Sequence, residues 1–211
     1  KTARQNLEDS LRRLRTDYID LWQFHGIRWD DDPELIFAEN GALRCALEAQ
    51  KQGKVRYIGF TGHQHPRFHL AMLSQPYEWA TVQMPINILD AHYESFQKQV
   101  LPVCVERGIG VIGMKALASQ RGRLVRELGI PAPLLRRYAL SLPISSLICG
   151  IQSRENLRQD LEMARNFQPL SEGEVTELLA KAAGPAATGQ IEQYKVGNYG
   201  CDWWHNLQRR G

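Results

Sequence analysis

The sequence predicts an α/β chain of parallel strands with helices outside them, amounting to about five of the eight βα units of a TIM (β/α)8-type barrel. Three observations carry this reading. Short strand-like runs alternate with helical patterns about every thirty residues, a spacing that calls for parallel strands joined by right-handed crossovers. Runs such as Val111-Ile112 are continuously apolar, as suits a sheet covered on both faces. No GxGxxG follows any strand, which disfavours the open dinucleotide-binding sheet and leaves the barrel.

The elements follow in order. Thr2 and Gln5 have capping-box spacing, so a helix begins almost at once, with Ala3, Leu7, Leu11 and Leu14 on its apolar face. Tyr18 to His25 is short, aromatic and aliphatic, and reads as a strand. Its alternation puts Leu21, Gln23 and His25 on one side and Trp22 and Phe24 on the other. A helix over 41–52, with Leu43, Ala46 and Leu47 inward, stops at Gly53 and feeds the strand Val55 to Thr61. Pro66 suits the first turn of a shorter helix, and Ala80 to Met84 is the next strand, stopped by Pro85. Val100, Leu101, Cys104 and Val105 mark a helix ending at Gly108, before the strand Ile109 to Met114. Leu134, Leu135, Tyr138 and Leu140 mark another before Pro143, and Ser146 to Cys149 is the last strand. Ser153 caps a helix carrying Leu157, Leu161 and Ala164.

Residues 1–170 thus read as a partial barrel, and 171–211 as a C-terminal helix and tail packing on it. Ser171 and Glu174 form a second capping box, and Val175, Leu178 and Leu179 give that helix a buried face. Beyond Gly184 come Gly and Pro and then Tyr194, Tyr199, Trp203 and Trp204, read as a strap across the barrel because such aromatics need apolar cover. Lys1 leads straight into helix-forming sequence with no initiator Met, so an upstream portion is expected.

Composition narrows the function classes. The 211 residues carry 26 Lys and Arg against 23 Asp and Glu, scattered rather than clustered, which argues against a nucleic-acid surface. No apolar run approaches membrane-spanning length and no signal peptide opens the chain. Cys45, Cys104, Cys149 and Cys201 are far apart with no CxxC pair, which reads as free thiols in a reducing cytosol, with neither a metal site nor a disulfide framework.

Five segments, in order and at barrel spacing, resemble the aldo-keto reductase family over about Leu7 to Leu170. They are Leu11-Arg12-Arg13-Leu14 with Asp17 to Leu21 and on to His25, Gly53 to Thr61, Val82-Gln83, Gly108 to Leu117, and Gly150 with Arg154 to Asp160. The resemblance implies reduction of a small-molecule aldehyde or ketone with NADPH, NAD being the alternative cofactor. It implies that His25, at the C-terminal end of a strand, is the catalytic histidine that orients the substrate oxygen. The acid tyrosine, its lysine and its aspartate belong to a portion before Lys1, so the chain alone is expected to be nearly inactive.

The resemblance also assigns cofactor residues. Thr61 falls where the family holds the carboxamide by a hydroxyl, while Gly62 stands in place of the usual asparagine. Gln83 is a polar residue on an apolar strand that would meet the nicotinamide amide. Met114 takes the place of the ring that stacks under the nicotinamide, or is ordinary core. Lys115 either points toward the cofactor phosphates or is a solvated lysine. The turn Gly150-Ile151-Gln152-Ser153 opens a helix N-terminus, a ready anion site that takes the adenosine 2′-phosphate in the family. Asn156 aligns with the family's phosphate-clamping arginine, Arg154 and Arg158 flank it, and Asp160 replaces the asparagine that contacts adenine. The alternatives are a nucleotide-binding or regulatory barrel without efficient turnover, and an inactive fragment.

Overall fold

The computed structural model describes residues 2–118 and 122–196. Five parallel strands form one sheet in chain order: β1 (Ile19–His25), β2 (Val55–Thr61), β3 (Thr81–Pro85), β4 (Gly110–Met114) and β5 (Ser146–Leu147). Each crossover carries helix. These are α1 (Ala3–Leu14) ahead of β1, α2 (Asp32–Phe37) and α3 (Ala42–Lys51), α4 (Pro66–Leu73), α5 (Phe96–Gln99) and α6 (Leu101–Glu106), and α7 (Arg123–Leu128) and α8 (Ala132–Leu140). After β5 come α9 (Arg154–Arg165), α10 (Glu172–Ala186) and α11 (Gln193–Val196). The predicted parallel, partial-barrel architecture is what the chain adopts.

Local chemistry explains the boundaries. Both predicted capping boxes form, Thr2 with Gln5 and Ser171 with Glu174. Pro66 opens α4, and Ser153 caps α9 by accepting from the Asn156 N–H. The helix expected around Val100 is broken at that residue into α5 and α6, with Pro102 in the first turn of the second. Pro85 closes β3 as its last paired residue, opposite Met114, because a strand's final position needs no donor there. The C-terminal helix does not stop at Gly184: α10 runs through Pro185 to Ala186, whose burial holds the last turn down.

Alternation splits each strand between two environments. Ile58, Phe60, Val82, Met84 and Val111 face the helices and form the main core with Leu7, Leu11, Ala46, Phe68, Met72 and Cys104. A second cluster lies beyond the strand ends, where Ile88 and Leu89 meet Leu124, Leu135 and Tyr138 and the α10 residues Leu178, Ala182 and Ala186. Several helix positions expected inward are exposed instead: Leu14, Leu47, Val105, Leu157 and Leu161. Leu47 and Val105 lie off the buried arc of their helices, where the 3.6-residue period carries side chains off the contact line, and Leu14 is the last residue of α1. Helix α9 has no buried residue at all. Among the described residues no helix is long and apolar enough to cross a membrane, and no three His, Cys, Asp or Glu side chains are grouped to hold a metal ion. Cys45, Cys104 and Cys149 are free thiols; Cys201, Tyr199, Trp203 and Trp204 lie outside the described residues.

Candidate active site and cofactor cavity

Strand register brings three of the predicted site residues into one row. His25 pairs with Thr61, and Thr61 pairs with Gln83, so all three sit side by side at the C-terminal ends of β1, β2 and β3. Backbone hydrogen bonds tighten the row: the Gly26 and Ile27 N–H groups both donate to the Thr61 carbonyl, at 3.0 and 2.9 Å. His25 is exposed and Thr61 is buried. The Gln83 amide donates to the Met114 sulfur at 3.3 Å, which brings a fourth predicted residue to the same face.

Gly62 follows Thr61 because the space admits nothing larger. A Cβ there would lie 2.5 Å from the Ile27 carbonyl oxygen and 2.8 Å from the His69 ring. Beside it, His63 packs edge-on against Tyr194, with ring centroids 5.6 Å apart. Burial, and the charges of Lys115, His25 and Arg28 facing it, hold its imidazole down at about 4, so it is neutral at physiological pH. Sequence reading missed His63, which carries no signal there beyond its position after a strand end.

A cavity of about 440 Å³ lies further along the same end, between the segment after β4 and the turn after β5. Lys115, Gly150, Gln152 and Asn156, four of the predicted cofactor residues, line it. Arg126 from α7 and Arg136 from α8 line it as well, and neither was singled out from sequence. Arg136 stands beside Arg137 in Leu134 to Leu140, and nothing in the sequence marks which of the two turns inward. Arg154 is exposed and outside the lining. Arg158 pairs with Glu155 at 3.5 Å on the surface. Asp160 is not part of the lining either; its carboxylate pairs with the Arg136 guanidinium, which also reaches the Gly150 carbonyl at 3.5 Å. The Asn156 side chain accepts from the Gln152 N–H at 3.4 Å, holding the turn against the start of α9.

Lys115 has a left-handed backbone, φ 57°. Its carbonyl accepts from the Asn87 amide at 3.3 Å, and its ammonium lies 4.9 Å from the centroid of the Tyr194 ring. The lining is therefore cationic, with two arginines and a lysine around a helix N-terminus, and it suits an anionic ligand.

A model of the aldo/keto reductase family matches residues 1–127, more than half of the chain. The chain belongs to the aldo/keto reductase family. The matched stretch contains the row His25, Thr61 and Gln83 together with Met114 and Lys115. Among curated proteins, the chain is 34% identical over 112 residues to protein tas of Escherichia coli, a match spanning 44% of this chain and 32% of that protein. It is 31% identical over 123 residues to an aldo-keto reductase of Alternaria alternata, spanning 58% of this chain and 31% of that one. These matches thus span about a third of the curated relatives' length. The fold is similar to that of an aldo-keto reductase of Bacillus halodurans, with a TM-score of 0.65 at 22% identity, covering 85% of this chain and 68% of that one.

Proposed function

We propose that this chain supplies the cofactor-binding portion and the catalytic histidine of an NADPH-dependent reductase of aldehydes or ketones. The observation that carries the reading is the cavity lined by Lys115, Arg126, Arg136 and the turn Gly150–Gln152, set at the same strand ends as His25, Thr61 and Gln83. The cationic lining fits the phosphates of the cofactor, whose nicotinamide supplies hydride when bound.

The roles follow from position. Thr61 and Gln83 would hold the carboxamide by hydroxyl and amide, and Met114, already in contact with Gln83, would pack on the ring. His25 would orient the substrate carbonyl oxygen, where charge grows as hydride arrives. Lys115, Arg126, Arg136, Gly150, Gln152 and Asn156 would surround the phosphates. Asp160 acts here by holding Arg136 rather than by meeting adenine, and Arg154 contributes only long-range charge. The C-terminal segment packs on the barrel through α10 and α11.

The proton donor, its lysine and its aspartate are assigned by family resemblance to strands ahead of β1. The 211-residue chain is accordingly a slow catalyst, since loss of a general acid costs about 10²–10⁴-fold. NADPH consumption with a panel of aldehydes, followed alongside alcohol formation, tests this in the chain and in the gene product extended upstream. The extended protein is expected to form alcohol in step with NADPH lost, and the short chain to lag by that factor. No alcohol from the extended protein would overturn the reductase reading, and an ordinary rate from the short chain would overturn the division of roles.

A further inference from the structure

We infer that Tyr194, on the C-terminal helix α11, is a positioning residue for the cofactor cavity, acting through Lys115. The inference rests on the cavity's reading as a phosphate site and adds an element that lies 79 residues further along the chain than Lys115.

Lys115 both lines the cavity and sits over the face of the Tyr194 ring. It needs holding. A left-handed φ of 57° on a non-glycine residue is uncommon and strained, and it persists only where the surroundings impose it. A lysine side chain also has rotamer freedom to lose before it can present its ammonium at one place. The Asn87 amide fixes the backbone end and the ring face fixes the ammonium end.

Tyr194 is itself held rigidly. It is 1% exposed, its hydroxyl donates to the Glu192 carboxylate, and the Asn87 amide donates to the hydroxyl at 3.2 Å. Asn87 therefore touches both partners, Lys115 through its carbonyl and Tyr194 through its hydroxyl. The next residue completes the anchor. The Lys195 ammonium donates to Asp90 at 2.7 Å and to the Tyr93 carbonyl at 2.8 Å, and pairs with Glu192 at 2.9 Å, all out of water. Asp90 accepts in addition from the Phe96 and Gln97 N–H groups. A ring this firmly seated offers Lys115 one place to be, so docking of α11 is coupled to the geometry of the cavity.

The test uses the 211-residue chain and adenosine 2′,5′-bisphosphate, which probes the phosphate cavity without the nicotinamide. Titration calorimetry is run on wild type, Tyr194→Phe, Tyr194→Leu, Lys115→Met and the Tyr194→Leu/Lys115→Met double variant. A cation–π contact of about 1–2 kcal/mol predicts 5- to 30-fold weaker binding for Tyr194→Leu. Tyr194→Phe keeps the ring and should bind within about twofold of wild type even where its melting temperature falls. The double variant should bind no worse than Lys115→Met alone, because the ring acts through the lysine. Should Tyr194→Leu fail to fold, NMR of reductively dimethylated wild type decides: the Lys115 methyl resonance is expected upfield of the free position and moved by ligand. Wild-type affinity in Tyr194→Leu, losses that multiply in the double variant, or an unshifted Lys115 resonance would each overturn the inference alone. A wild-type chain that takes up no ligand would overturn the phosphate-site reading as well.

Discussion

Arg136 and Asp160 form an ion pair that joins α8 to α9 beside the cavity, with side chains only 5% and 12% exposed. The pair does two things. It turns the Arg136 guanidinium toward the cavity, and it ties the Gly150 turn to a helix that is part of the core.

Removing one partner of such a pair leaves the other charge in a poor solvent. Arg136→Ala is expected to cost about 3–5 kcal/mol of stability, read from denaturant midpoints. The Arg136→Met/Asp160→Leu double variant should lose clearly less than Arg136→Ala, because no charge is stranded. Equal losses would mean that the pair is packing rather than electrostatics.

Stability should fall in mild acid because of His69. Its ring is fully buried between Phe60 and Phe96, and its Nε2–H donates to the Gln83 carbonyl at 3.2 Å. Burial holds its imidazole at about 4, well below the ordinary 6.5. The unfolded chain takes up the proton first, so the stability this residue contributes is present above pH 6.5 and lost as pH falls toward 4. The loss approaches about 3 kcal/mol at the acid limit. His63 adds to it in the same window. Asp90 opposes it: burial lifts its carboxyl to about 6, so protonation there favours the folded state as pH falls. Two histidines outweigh one carboxyl, and urea midpoints should drop between pH 7 and 4.5. His69→Gln should flatten that profile, and an unchanged slope would contradict the assignment.

Gly62→Asn restores the residue the family usually carries, yet it should not improve cofactor binding. The new Cβ meets the Ile27 carbonyl oxygen at 2.5 Å, which forces a backbone shift costing about 1–3 kcal/mol. A variant with wild-type melting temperature would show that this loop yields freely.

Among the described residues β1 and β5 each pair on one side only, and Tyr57, on the inner face, is 58% exposed. Unpaired strand edges beside apolar surface invite pairing with another chain. The 211-residue chain is therefore expected to associate with rising concentration, as light scattering would show, and to melt at low denaturant. A monomer with one steep transition would contradict this.

Much of this was legible in the sequence, for physical reasons specific to each element. Strands such as Val55–Thr61 and Ile19–His25 stand out because parallel strands concentrate β-branched and aromatic residues between glycine and helix signals. Caps at Thr2, Ser153 and Ser171 are local chemistry and are readable within four residues. The row of His25, Thr61 and Gln83 was reached through family resemblance, and strand register then places them side by side. What escaped reading depends on distant parts of the chain. Arg136 takes its meaning from Asp160, and Tyr194 takes its from Asn87 and Lys115, pairs that no periodicity links. The short helices α2, α7 and α11 carry too few residues to show an apolar period.

The cavity of Lys115, Arg126 and Arg136 is proposed to receive the 2′-phosphate of NADPH. Calorimetric titration of the 211-residue chain with NADPH and with NADH, at low and high salt, tests it most directly. NADPH should bind more tightly, and the gap should narrow at high salt as the partly exposed cations are screened. Equal affinities at low salt, or a gap indifferent to salt, would contradict the claim.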